Sequence, residues 1–153
     1  MVRLAAAVAG AWAAALASRS GASVRAAPGS IPEIPQPQTP SRDALIERAF
    51  EMRRRAVDAG DQSYGAIIVK DHRIVGLGPS RVVTNGDPTA HAEMEAIRDA
   101  ARRLGTRDLS GCVMYSTSRP CRMCETAAYW ANVSRLYHGQ SGTDAGAPRY
   151  GGC

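Results

Sequence analysis

Apolar residues recur along this chain with two different spacings, one typical of helices and one typical of strands. Helical spacing begins after Thr39-Pro40 and ends at Gly60, which predicts a first helix. Its predicted buried stripe consists of Leu45, Ile46, Ala49, Phe50, Ala56 and Val57. The next pattern predicts a strand from Gly65 to Val69, a turn at residues 70–72 and a return strand from Arg73 to Leu77.

The second half of the chain continues this alternation of helices and strands. Its pattern predicts a helix, a strand, a helix and a strand, at residues 88–104, 111–117, 120–132 and 135–138. Pro88 and Pro120 are each expected at the first position of a helix, with Asp87 as the cap of the earlier one. The order of elements therefore predicts an α/β fold with helices packed on a mixed sheet.

Residues 1–26 have the composition of a targeting segment. A short positive start precedes an Ala-rich apolar run from Leu4 to Ala17, and two small-residue cleavage candidates end at Ala17 and Ala26. The run is too short to span a membrane, so a signal peptide and a periplasmic or secreted protein are predicted. A leader with Arg and Ser but no acidic residue is also typical of a mitochondrial transit peptide. A third explanation is a mis-chosen start codon, and in that case a cytoplasmic protein is expected.

The net charge gives little support for a polyanionic partner. The formal charge is +5, but residues 27–153 carry 16 basic and 14 acidic side chains, a net charge of +2. A protein that binds RNA needs a positive surface that neutralises phosphates. Structured nucleic acid is therefore not the expected partner, and no transmembrane segment is expected in the mature chain. Residues 27–40, with five prolines, are predicted to form an extended linker.

Two short motifs carry chemistry that suits a metal. They are DPTAHAE, at residues 87–93, and PCRMC, at residues 120–124. Cys121 and Cys124 are three positions apart, so they share a helix face, where the positive end of the helix dipole favours thiolates. With His91 they offer three zinc ligands and leave a fourth position for water, whose pKa zinc lowers to about 7. Glu93 is then the group that carries protons.

Each motif alone has an ordinary explanation. A His and a Glu on one helix are usually a surface pair, and an isolated C-x-x-C is redox-active or structural. The combination H-x-E…P-C-x-x-C is the signature of the zinc-dependent nucleobase deaminases. A structural zinc site would normally need a fourth protein ligand, and no other Cys or His has suitable spacing. Cys112 is predicted to be a buried thiol, and Cys153 has no assigned role.

The stretch DPTAHAEMEAIR, at residues 87–98, resembles the cytidine deaminase-like superfamily of the CMP/dCMP deaminase zinc-binding type. Within it the chain resembles the branch of guanine and tRNA adenosine deaminases, and Tyr129-Trp130-Ala131 favours the guanine deaminase or nucleoside deaminase side. The resemblance covers Asp43 to Gly139. We therefore divide the chain into a leader (1–26), a linker (27–40), a deaminase domain (41–139) and a Gly-rich tail (140–153).

The resemblance implies a three-layer α/β/α sandwich with a mixed central sheet. The superfamily usually adds a further strand and helix after the fourth strand, whereas only residues 140–153 remain here. We therefore expect a sheet that lacks the last strand and helix. An uncovered sheet edge favours pairing with another chain, and we expect a homodimer.

The resemblance also implies where a substrate lies. The aromatic rings of Tyr64 and Trp130 would stack on or enclose a flat base, although Trp130 is equally explained as a core residue of its helix. The backbone amides of Ala92 and Cys121 would orient the substrate.

Two departures from the family pattern point to a shifted specificity. Ser80 is aligned where related deaminases carry an Asn, and Arg119 stands where they often carry a Glu before Pro-Cys. Arg119 would donate to a carbonyl or phosphate oxygen of the substrate, or else pair with a surface carboxylate.

The predicted function is that of a zinc-dependent hydrolytic deaminase acting on a small aminated nucleobase or nucleoside, guanine deaminase-like, with one Zn²⁺ per chain. Zinc-bound hydroxide would attack the ring carbon that bears the amine. Glu93 would take the proton of the water and deliver it to the ring nitrogen and then to the leaving ammonia. One alternative is a tRNA adenosine deaminase. An alternative of another class is a non-catalytic zinc-stabilised binding protein, against which Glu93 argues, because a structural site does not need that carboxylate.

Overall fold

The computed structural model describes residues 31–150. In this range the chain forms three helices and five strands: α1 (Arg42–Asp58), β1 (Gly65–Lys70), β2 (Arg73–Pro79), α2 (Ala92–Leu104), β3 (Cys112–Ser116), α3 (Arg122–Trp130), β4 (Arg135–His138) and β5 (Thr143–Gly146). The predicted leader and Cys153 lie outside the described residues. None of the helices in this range has the length and apolar character that would let it cross a bilayer.

The strands form one mixed sheet in the order β2-β1-β3-β4-β5. β1 pairs antiparallel with β2 and β3, whereas β3 and β4 are parallel. The expectation that no strand follows β4 is wrong, because β5 returns antiparallel along its outer edge. Gly139 and Gly142, both with positive φ, turn the chain between the two strands. No helix follows β4 before residue 150.

The predicted three-layer arrangement is confirmed by two separate cores, one on each face of the sheet. On one face α1 packs on Ile67, Val69 and Tyr115 of the central strands. On the other face α2 and α3 pack on a core that includes Ala66 and Ile68. Successive residues of β1 therefore enter opposite cores, as the alternation of side chains along a strand requires.

Helix α1 confirms most of the predicted apolar stripe. Ser41 caps it by accepting a hydrogen bond from the amide of Ala44 at 3.1 Å. Met52, which the predicted stripe omits, is 0% exposed, whereas Val57 is 51% exposed. The buried positions follow the spacing i, i+3, i+4 and i+7, and Val57 falls beyond the edge of that stripe.

The second half of the predicted linker is packed on the sheet. Ile34 is buried in the core beneath α1. The side chain of Gln36 donates to the carbonyl of Ile74 at 3.0 Å and accepts from its amide at 2.8 Å. Gln36 therefore satisfies the outer backbone groups of the edge strand β2, which would otherwise be open to another strand.

Candidate metal centre

Helices α2 and α3 meet at their first turns, and this arrangement brings the predicted metal ligands together. His91 is the residue that precedes α2, and Cys121 precedes α3. Both have extended backbone, with ψ of 156° and 171°. Cys124 lies in the first turn of α3. All three side chains are therefore placed at the positive ends of two helices, which favour thiolates.

The expected start of α2 at Pro88 is wrong, and a local turn explains the difference. The carboxylate of Asp87 accepts hydrogen bonds from the amide of Thr89 at 2.8 Å and from its hydroxyl at 2.7 Å. The carbonyl of Asp87 accepts from the amide of Ala90 at 3.0 Å. Asp87 thus caps a turn, and the helix begins only at Ala92.

Helix α3 shows a smaller shift of the same kind. It begins at Arg122 and not at Pro120, and it ends at Trp130 and not near Asn132. The consequence is that Cys121 lies before the helix, while Cys124 lies within it.

The three ligand atoms have the spacing that tetrahedral zinc requires. His91 Nδ1 lies 3.7 Å from Cys124 Sγ and 3.8 Å from Cys121 Sγ, and the two sulfurs are 3.6 Å apart. With tetrahedral angles, Zn–S bonds near 2.3 Å and a Zn–N bond near 2.0 Å imply separations of about 3.5 to 3.8 Å. Among the described residues no fourth ligand joins this group. The residues therefore fit a zinc ion with one open position, as in catalytic sites.

The environment of Cys124 shows how strongly the site depends on the metal. Burial, together with the nearby charge of Glu93, raises the pKa of the Cys124 thiol. A buried thiolate without a compensating cation is unfavourable, so the metal-free thiol stays protonated. Zinc binding must release this proton, which makes zinc affinity depend on pH.

Glu93 lies beside the ligands but is not one of them. Its side chain is buried, with the residue only 6% exposed, and its Oε2 is 3.5 Å from Cys124 Sγ. Burial raises the pKa of Glu93, although hydrogen bonds and the charge of His91 act in the opposite direction. A carboxyl group with a raised pKa next to a metal site can both accept and donate a proton near neutral pH.

A cavity of 660 Å³ opens onto this group. Three of the predicted substrate contacts lie in its wall, namely Tyr64, Ala92 and Arg119. The remaining lining residues are Gln62, Ser63, His91, Glu93, Ser118 and Cys121. No motif in the sequence pointed to Gln62, Ser63 or Ser118, although each lies next to or near a predicted contact in the chain.

The sheet explains why these distant segments converge. β1 and β3 are antiparallel, and Ala66 pairs with Ser116. The start of β1 and the end of β3 therefore lie side by side, and the residues before β1 and after β3 leave the sheet at the same end of these strands. Residues 62–64, 118 and 119 line the cavity there, together with residues at the starts of α2 and α3.

Two predicted contacts are not brought to this cavity. Ser80 is buried, and its Oγ has no hydrogen-bond partner among the described residues. It lies in the wall of another cavity, which residues of α1, β2 and α2 line. Its amide donates to the carbonyl of Tyr64 at 3.1 Å, so Ser80 contacts the cavity wall only through the backbone.

Trp130 is at the opposite end of α3 from the metal ligands. Its side chain is 68% exposed, so the alternative of a core residue is wrong as well. The indole ring packs edge-on against Tyr129 and Tyr150, with ring centroids 5.7 Å apart in each pair.

Comparison with known proteins agrees with the chemistry of this site. The family model described as "Cytidine and deoxycytidylate deaminase zinc-binding region" matches residues 40–140. Guanine deaminase of Bacillus subtilis is 40% identical over 106 residues, which are 69% of this chain and 68% of the relative. A tRNA-specific adenosine deaminase of Aquifex aeolicus is 39% identical over 95 residues, which are 62% of this chain and 63% of the relative.

Solved structures give the same result. The X-ray structure of guanine deaminase from Bacillus subtilis matches with a TM-score of 0.63 and 39% identity, covering 65% of this chain and 64% of that chain. A guanine deaminase from Nitrosomonas europaea matches with a TM-score of 0.61 and 27% identity, covering 64% and 58%. The chain thus spans about two thirds or less of the length of these relatives.

Proposed function

Because this chain belongs to the cytidine and deoxycytidylate deaminase family, we propose that it is a zinc-dependent hydrolytic deaminase of a small aminated nucleobase or nucleoside. The observation that carries the proposal is the convergence of His91, Cys121 and Cys124 around an open position, with the buried carboxylate of Glu93 beside it. A purely structural zinc site has four protein ligands and no use for an adjacent acid.

The proposed reaction replaces an exocyclic amine by oxygen. His91, Cys121 and Cys124 would hold the zinc ion, which would supply Lewis acidity and lower the pKa of a water molecule towards neutrality. Glu93 accepts a proton from the attacking water and transfers it to the neighbouring ring nitrogen. A carbon–oxygen bond forms, the carbon–nitrogen bond of the amine breaks, and Glu93 delivers the second proton of the water to the departing ammonia.

The walls of the cavity favour a flat heterocycle. The ring of Tyr64 borders the cavity and is 47% exposed, so it offers a face on which a base can stack. Ala92, which opens α2, and Cys121, which precedes α3, also line the cavity, and their backbone amides would orient the substrate. The similarity to guanine deaminases supports a purine ring as the preferred base.

A second candidate function is the deamination of adenosine in tRNA. The similarity to the Aquifex aeolicus protein favours it. The charge balance argues against it, because residues 27–153 carry a net charge of only +2, whereas RNA binding needs a surface that neutralises several phosphates.

The test is the release of ammonia by the purified zinc form. Guanine, adenine, cytosine, their nucleosides and their nucleotides would be compared with inosine formation in a tRNA anticodon stem-loop. Turnover of a base or nucleoside supports the proposal. Conversion of the stem-loop alone would establish the tRNA-directed function, and an inert, folded, zinc-loaded protein would establish a zinc-stabilised binding protein.

The homodimer and the exported location remain proposals. Tyr129, Trp130 and Tyr150 form a cluster of exposed aromatic rings at the end of α3, and such clusters favour protein contacts. Light scattering of the wild type and of Trp130→Ser tests whether this cluster joins two copies. Sequencing of the mature N-terminus from the native host tests cleavage after the Ala-rich leader.

A further inference from the structure

The side chain of Arg119 is one of the few arginine side chains that make no polar contact within residues 31–150. Most arginines of residues 31–150 contact a carboxylate, a carbonyl or a hydroxyl oxygen. Within that range, Arg107, Arg119 and Arg122 are the three whose side chains have no hydrogen bond or ion pair. A guanidinium offers five donors in a planar fork, so these three groups are available to a ligand.

The position of Arg119 distinguishes it from the other two. Its side chain is exposed and lies in the wall of the 660 Å³ cavity that holds His91, Glu93 and Cys121. Arg107 and Arg122 are also exposed, but neither lines this cavity. Arg119 is therefore the cation that a bound substrate meets within the described part of the cavity wall.

Arg119 and Glu93 differ in exposure. The amine must reach the metal ligands and Glu93, and Glu93 is only 6% exposed. Arg119 is exposed. The substrate group that meets Arg119 is therefore not the amine that reaches the buried Glu93, and it stays partly in contact with solvent.

Resting on the function proposed above, we propose that Arg119 is a specificity-determining residue that binds the phosphate of a nucleoside monophosphate. A phosphate matches the guanidinium in charge and in bidentate geometry. A phosphate also tolerates the solvent around this exposed side chain, whereas a ring carbonyl would offer the guanidinium a single neutral acceptor. The cavity volume is of the size that encloses a whole drug-sized ligand, which leaves space for a ribose phosphate besides the base.

The other groups of the cavity wall are compatible with this assignment. Gln62, Ser63 and Ser118 are neutral hydrogen-bonding residues, which suit the hydroxyls of a sugar. The one carboxylate in the wall is that of Glu93, which is buried. No acidic residue of the described wall therefore competes with the substrate for Arg119.

The experiment compares each nucleoside with its 5′-monophosphate on the zinc-loaded full chain, by the rate of ammonia release. The ratio of kcat/KM for the monophosphate to kcat/KM for the nucleoside should exceed one by about ten- to a hundredfold in the wild type, as expected for a charge-assisted hydrogen bond. In Arg119→Gln the ratio should fall close to one, and in Arg119→Glu below one. Added salt should lower the ratio of the wild type and leave that of Arg119→Gln unchanged.

Arg122→Gln and Arg107→Gln are matched controls, since each removes an unengaged arginine outside the cavity, and both should keep the wild-type ratio. Equal turnover of nucleoside and monophosphate by the wild type would overturn the inference and leave the proposed deaminase intact. So would a preference that Arg119→Gln retains, or a loss of preference in the controls. Absence of turnover on every base, nucleoside and nucleotide would instead remove the proposed function itself.

Discussion

A Cβ atom built on Gly78 would lie 2.0 Å from the carbonyl oxygen of Ala92, so strand β2 and the start of helix α2 touch backbone to backbone. Real Cβ atoms are not found at such a distance. Glycine is therefore required where α2 approaches the sheet. Because Ala92 directly follows His91, this contact also sets the position of a metal ligand.

Gly78→Ala should both destabilise the protein and weaken zinc binding. The added methyl group must push the start of α2 away from β2, at a cost of about 1 to 3 kcal/mol of unfolding free energy. Gly76→Ala is the comparison, because its Cβ would meet the carbonyl of Ala96 at 2.5 Å, farther along the helix. Denaturant melts and zinc titrations should show lost stability in both variants and the larger loss of zinc affinity in Gly78→Ala. Wild-type zinc affinity in Gly78→Ala would contradict this account.

Glu93→Gln should separate catalysis from metal binding. Glutamine keeps the shape of the side chain but cannot carry the proton, so turnover should fall by at least about a hundredfold. Because Glu93 is buried without being a ligand, the variant should stay folded and keep one zinc per chain. Metal analysis and ammonia release measure the two properties. Glu95→Gln is the control on the same helix, where the carboxylate pairs with Arg98 at 2.6 Å, and it should remain active. Loss of zinc in Glu93→Gln would show that the residue is a ligand after all.

Local sequence patterns were sufficient to predict the β1–β2 hairpin and the candidate ligands of the metal centre. The turn between β1 and β2 is made by Asp71 and His72, both with positive φ. In the sequence, polar turn residues between two apolar runs predict this turn. The H-x-E and C-x-x-C motifs likewise predicted the three side chains that the structure brings together, because side chains of fixed chemistry can be recognised without knowing the fold.

Contacts between distant segments could not be predicted in this way. β5 consists of Thr143–Gly146, too short and too polar to show an apolar period, and it forms only because the edge of β4 is available. The start of α2 depends on whether Asp87 caps the helix or the preceding turn. Either cap would use the same carboxylate, so the sequence alone does not distinguish them. The exposure of Trp130 depends on what covers the end of α3, which no local pattern contains.

Removal of the metal should lower the stability of the protein. We expect zinc to bind the folded chain through His91, Cys121 and Cys124, so a chelator should reduce the Tm of the wild type. His91→Ala, Cys121→Ala and Cys124→Ala should each lose zinc and should no longer respond to the chelator. Cys112→Ala is the control, because Cys112 is a buried thiol of β3 outside the metal centre. It should keep one zinc and the response to the chelator. Zinc retained after the loss of any one of the three ligands would show that the site is assembled differently.

Asp61 connects two loops near the candidate metal centre through hydrogen bonds. Its Oδ2 accepts hydrogen bonds from the amides of Val83 at 2.9 Å and Thr84 at 2.8 Å, and its Oδ1 accepts from the amide of Gln62 at 2.7 Å. The loop of Val83 and Thr84 leads to His91, and Gln62 lines the cavity. The carboxylate thus holds the approach to α2 against the wall of the cavity.

The stability conferred by Asp61 should depend on pH in a defined direction. Desolvation acts to raise the pKa of Asp61, but the hydrogen bonds from Thr84 and Gln62 outweigh it and hold this pKa well below its usual range. Since the pKa is lower in the folded than in the unfolded state, the unfolded chain takes up more protons as the pH falls. The contribution is therefore complete above the unfolded-state pKa of about 3.9 and is lost below it. Asp61→Asn should have a lower Tm than the wild type at neutral pH, and the difference should shrink between about pH 5 and pH 2. Asp58→Asn is the control, since Asp58 is exposed at the end of α1, and its melting curve should follow the wild type throughout. A difference for Asp61→Asn that stays constant with pH would show that its hydrogen bonds do not depend on ionisation.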